Sequence, residues 1–183
     1  MKSGVMGLAM ALMAGGVEAQ QMQHMHEHGA GGMMAHDEAT MPGLRGLDAT
    51  AQESAEMAVM FRNFHTLRRE VENLPDGIRT RTFSTDPAVM EALTSHIVGM
   101  IDRVEMGRDP QVFIQSPTLD IFFERRDSIT TDIDIQGDAI VVTQTSDDPE
   151  MVEALHIHAG EVSAMAARGM QAVHEMMMAR QGN

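Results

Sequence analysis

The side chains of this sequence with ligand chemistry are histidines and methionines, and they fall in two places. In the first, His96 and Met100 stand four residues apart, and His158 occupies the matching position of a second, related stretch. Residues i and i+4 are neighbours on a helix surface. Two imidazoles and a thioether form a set suited to Cu(I) or Cu(II), because imidazole suits copper and thioether sulfur is a soft donor. The same groups could serve a non-covalent haem b as axial ligands, either His96 with His158 or one of them with Met100. In the second place, His24, His26, His28 and His36 are mixed with Met22, Met25, Met33, Met34 and Met41 among glycines. Tracts of that composition bind metals, and the mixture of imidazole and thioether matches both oxidation states of copper.

Each group also has a plainer reading. An inward histidine can be a neutral core imidazole donating to a carbonyl, and methionine is a flexible core filler. The tract can be a tail with no specific ligand. Repetition favours ligation at His96 and His158. The phrase Ser84-Thr85-Asp86-Pro87, continuing through His96 to Gly107, returns 62 positions later as Ser146-Asp147-Asp148-Pro149, continuing through His158 to Gly169, with no gap between the copies. This is read as a duplication. Two copies related by a pseudo-two-fold axis would bring equivalent residues together near that axis, and the competing outcome is two imidazoles far apart.

The phrase itself encodes a helix. Asp is a preferred N-cap, Pro suits the first helical position, and Gly follows many helix ends. Val89, Leu93, His96, Met100 and Val104 then form an apolar stripe at helical spacing, as do Met151, Leu155, His158, Val162 and Ala166. Both histidines lie on the inner stripe. His156 is two residues from His158 and is expected at the surface, and His174 is also expected to leave the stripe. The second helix is expected to run on past Gly169 through Met176-Met177-Met178.

Other elements follow from caps and turns. Thr50 with Glu53 offers a capping box for a helix through Met57, Met60, Phe61 and Phe64, expected to end near His65. Leu74-Pro75-Asp76-Gly77 is a turn, followed by alternating residues 78–83, which predicts a hairpin. Residues 129–135, the turn Gln136-Gly137-Asp138 and residues 139–145 predict another. Ser116-Pro117 caps a short helix over 118–126. Two hairpins with one apolar face each gain by joining. The expected fold is α+β: two αββα repeats forming a four-stranded antiparallel sheet covered by helices, with internal pseudo-two-fold symmetry.

Lys2, the apolar stretch over 5–14 and Val17-Glu18-Ala19 give residues 1–19 the form of a signal peptide cut near Ala19. Residues 20–46 are expected to be a disordered His/Met-rich segment, and residues 47–183 a single globular domain. Its repeats span about 50–107 and 117–170, with a C-terminal helical extension. No stretch reaches the roughly 18–20 apolar residues of a membrane span, so a soluble periplasmic protein is expected, with no membrane insertion.

Net charge is −14, which argues against nucleic acid and anionic membranes and suits cationic partners, metal ions included. Cysteine is absent. That excludes disulfides, thiolate catalysis, Cys-type zinc sites and Cys-x-x-Cys-His haem attachment. No Gly-x-Ser-x-Gly, His-Glu-x-x-His or phosphate-cradling loop occurs, and Asp147 with Asp148 reads as a helix cap rather than an acid/base pair. No catalytic group announces itself. Methionine, at 20 residues, is in excess.

The duplicated Ser/Thr-Asp-Pro to His to Gly pattern resembles a group of uncharacterised exported bacterial proteins, some of them associated with c-type cytochromes. The resemblance covers residues 57–170 and implies metal or haem handling beside electron transfer, without carrying over any catalytic residue. The leading expectation is a periplasmic copper chaperone or buffer, whose partners are a metal ion and an exported redox or copper protein. A haem-binding or electron-transfer accessory protein and a cofactor-free interaction module of an exported redox complex are the alternatives. A homodimer is compatible with each.

Overall fold

The structure is a computed structural model that describes residues 42–181. The expected signal peptide and the tract holding Met22, His24, Met25, His26, His28 and His36 lie outside the described residues. The body contains α1 (Ala51–Arg62), β1 (Leu67–Leu74), β2 (Gly77–Ser84), α2 (Pro87–Met106), α3 (Asp120–Glu124), β3 (Thr130–Gln136), β4 (Ala139–Thr145), α4 (Pro149–Arg168) and α5 (Met170–Gln181). The strands form one antiparallel sheet in the order β1-β2-β4-β3. The fold is α+β, as the alternation and caps require.

The repeated phrase folds alike in both copies. Asp86 accepts from the Ala88 and Val89 amides at the start of α2, and the Ser84 hydroxyl accepts from the Asp86 amide. Asp148 accepts from the Glu150 amide at the start of α4, and Ser146 accepts from the Asp148 amide. Each side-chain cap contributes about 1 kcal/mol. The hairpin registers also correspond: Arg68 lies opposite Phe83, and Thr130, 62 positions on from Arg68, lies opposite Thr145. In the central pairing Thr80 faces Val142, its counterpart at the same offset.

Period-two alternation sorts the sheet faces. Ile78, Thr80, Thr82, Ile140 and Val142 are buried under the helices. On the other face Arg81 lies over the Phe83 ring at 4.5 Å and approaches Glu70 at 3.8 Å and Asp138 at 3.9 Å. The long helices cross over. Leu93 of α2 packs with Ile140 and Val142 of the second hairpin, with Ile133 beside them, while Met151, Leu155 and Ala159 of α4 pack with Ile78 of the first. Each fully buried Leu or Ile contributes about 1.5–3 kcal/mol.

Three boundaries differ from expectation. Helix α1 stops at Arg62, short of His65, because Asn63 closes it: its side chain donates to the Val59 carbonyl at 2.9 Å, and Phe64–Thr66 forms a separate turn. The last helix does not run through Gly169. Gly169 has φ 56°, and a Cβ there would meet the Phe64 ring at 2.7 Å, so the chain breaks into α4 and α5. The segment expected to be disordered to residue 46 joins the body from Pro42. Leu44 is 2 % exposed, and the amides of Phe113 and Ile114 donate to the carbonyls of Arg45 and Gly43. A single buried leucine among glycines leaves too little periodicity to read.

Candidate functional site

The two apolar clusters leave a cavity of about 310 Å³ between the inner sheet face and helices α1, α2 and α4. His96 and Met100 reach it from α2, His158 and Glu161 from α4, and Arg69 from β1. His96, Met100 and His158 all line this space. Met57, Met60 and Met165 add further thioethers to a wall that is mostly apolar.

The imidazoles have a common arrangement. Nδ1 of His96 and Nδ1 of His158 are both sealed from solvent without a hydrogen-bond partner. Nε2 of each ring is neither sealed nor bonded among the described residues, and both rings line the cavity. Burial lowers the pKa of His96 from its ordinary value; the negative charges of Glu56 and Glu53 oppose the shift, and His158 adds to it. His96 is therefore a neutral imidazole at physiological pH.

His158 has a companion carboxylate. Its Nδ1 lies 3.8 Å from Glu161 Oε2, and its ring meets Phe122 edge-on at 5.4 Å. The other oxygen, Oε1, accepts from Ser116 at 2.7 Å and Thr118 at 3.4 Å. Burial would raise the Glu161 carboxyl, but the adjacent His158 ring and the hydrogen bond from Ser116 outweigh it and hold the pKa below its usual value. A carboxylate near Nδ1 favours the tautomer with its proton there, which leaves the Nε2 lone pair free.

The remaining histidines are placed differently. His156 is not at the surface as expected: it is half-buried, and its Nε2 sits 2.8 Å from the Gly77 carbonyl and 3.2 Å from that of Leu74. The cross-packing of α4 on β1 and β2 is the reason, since it turns the helix flank at 156 onto the first hairpin's turn. His174 and His65 are exposed. Sequence reasoning missed Glu161 and Arg69. Glu161 was findable from its i, i+3 spacing to His158, whereas Arg69 sits on a charged edge strand with nothing to mark its inward phase except Leu67 two residues before.

Among the described residues no group of three or more His, Asp or Glu side chains is placed to hold a metal ion. No protein-family model, curated protein or solved structure matches the chain.

Proposed function

We propose that the protein is a periplasmic copper-binding protein, a chaperone or buffer, that holds a copper ion in the internal cavity through Nε2 of His96 and of His158, with Met100 as the soft third donor. The observation that carries this reading is a pair of histidines, each with an unbonded Nε2 and each on a different helix, lining one methionine-rich space. Imidazole and thioether together favour copper over hard cations such as Mg²⁺ or Ca²⁺. Glu161 would act behind His158, fixing its tautomer and raising the basicity of Nε2. His96, kept neutral by burial, needs no deprotonation before binding. The tract with Met22, His24, Met25, His26, His28 and His36 would collect ions and pass them to, or compete with, the internal site.

The test is titration of the full untagged chain with Cu(I) under reducing conditions and with Cu(II), against a competing chelator. One ion per chain should be lost in His96→Ala and in His158→Ala, while Glu161→Gln should weaken the same site by about 10- to 100-fold. Unchanged binding in both histidine variants would overturn the internal site and leave metals to the N-terminal tract. A Soret band in protein purified from its own host would replace copper by haem.

A further inference from the structure

Arg69 is a partly buried cation without an anion partner among the described residues. It lies on the inner phase of β1, opposite Thr82, and lines the cavity. A guanidinium has five N–H donors. Nη1 donates to Thr82 Oγ1 at 2.8 Å, Nε is sealed from solvent without a partner, and Nη2 has no bond among the described residues. Among the described residues no carboxylate stands within ion-pair distance of Arg69, and burial lowers its pKa to about 10.

The same fold shows how a buried arginine is satisfied when no ligand is involved. Arg103 is met by Glu53, by both the side chain and the carbonyl of Asp48, and by the Arg108 carbonyl. Burying a charge with no counter-charge is strongly unfavourable, so an unpaired guanidinium on a cavity wall is a position that an entering anion would complete. The remaining wall limits that anion. It is mostly apolar, contains among the described residues no second arginine or lysine, carries the carboxylates of Glu53, which Arg103 holds, and Glu161, which Ser116 holds beside His158, and measures about 310 Å³, at the small end of the ~300–1,000 Å³ range of small-molecule sites. A phosphate or sulfate ester carries its charge on a group too polar for such surroundings. A carboxylate matches the planar guanidinium fork in two parallel bonds and needs only one positive charge.

We propose that the cavity receives a small organic monocarboxylate, its carboxylate on Arg69 and its apolar body against the methionine side chains of α1 and α2. This goes beyond the copper reading and does not rest on it, because the carboxylate needs Arg69 whereas the metal needs the imidazole Nε2 atoms.

Calorimetric titration of the full chain with octanoate, and separately with 1-octanol, tests the proposal. The chain has neither Trp nor Tyr, so heat is a better signal than intrinsic fluorescence. Octanoate should bind once per chain and at least about tenfold more tightly than octanol, as expected for charge-assisted bonds in a dry site. Arg69→Met should remove that preference while leaving octanol binding within about threefold, and Arg69→Lys should retain more of it than Arg69→Met. Equal octanoate affinity in wild type and Arg69→Met would overturn the proposal. So would the absence of saturable octanoate binding at millimolar concentration, or an octanol affinity equal to that of octanoate in the wild-type chain, a result that needs no variant to fold. Loss of copper binding in the histidine variants with octanoate binding intact would separate the two sites.

Discussion

Replacing Arg103 by methionine should cost the fold about 3–5 kcal/mol, the penalty expected when one partner of a buried ion pair is removed and the other stays. Arg103 is only 3 % exposed. Its Nε and Nη2 hold the Glu53 carboxylate, with Nη2 at 2.9 Å from Oε2; Nη1 reaches Asp48 Oδ2 at 2.9 Å and the Arg108 carbonyl at 3.1 Å; Nη2 also donates to the Asp48 carbonyl at 2.7 Å. These bonds tie α1, α2 and the segment before α1 into one unit. Methionine fills much of the same volume but leaves Glu53, at 20 % exposure, without its cation. Against a total of about 5–15 kcal/mol for a domain, the loss corresponds to a melting temperature lower by roughly 10–20 °C at this chain length. Urea unfolding followed by far-UV circular dichroism at pH 7 measures it, and a loss below about 1 kcal/mol would refute the assignment. A pH series adds an independent check. The hydrogen bond from Arg103 chiefly holds the pKa of Glu53 at about 2 against an ordinary 4.5, with Thr50 contributing and burial opposing. A carboxyl depressed in the folded state contributes stability above its unfolded value and loses it as pH falls through the folded one. The gap between wild type and Glu53→Gln should therefore close between pH 4.5 and about 2. A gap constant across that window would mean that the charge is not what the arginine holds.

Two further outcomes follow from the histidines. His156→Ala should lose about 1–2 kcal/mol in urea unfolding, because the carbonyls of Gly77 and Leu74 lose a shared donor at the hairpin turn; no loss would show that solvent satisfies them equally well. His96, whose pKa is lowered chiefly by burial, takes up its proton more readily unfolded than folded. Wild-type stability should thus decline as pH falls below the ordinary imidazole value near 6.5, and His96→Leu should flatten that limb of the profile; an unchanged limb would assign it to other groups.

What the sequence made legible was whatever repeats or caps. Asp86-Pro87 and Asp148-Pro149 mark the two long helices because a cap and a proline act through their nearest neighbours, and the two helices carry His96, Met100 and His158, which line the cavity. Long-range pairing was not legible. Leu44 is buried because its neighbours Gly43 and Arg45 bond to residues some 70 positions away, His156 is inside because a hairpin turn happens to lie beneath it, and α4 ends at Gly169 because of Phe64. The inward phase of Arg69 is of the same kind. Charge alternation on an edge strand predicts exposure, and only the register opposite Thr82 places it on the cavity side.

The cross-packing explains why the site needs both copies. A two-stranded hairpin is marginal on its own, and here helices of both copies pack on the joined sheet: α2 brings Leu93 to Ile140 and Val142 and also lies against β2, and α4 brings Leu155 and Ala159 to Ile78. The space lined by His96 and His158 is bounded by elements of both copies. The copies then diverge at the positions around it. Where the second has Glu161 beside His158, the first has Gly99 in the corresponding place, and where the first has Arg69, the second has Thr131. That divergence leaves one imidazole beside a carboxylate and one side of the cavity with a cation, so the two copies contribute chemically unequal walls.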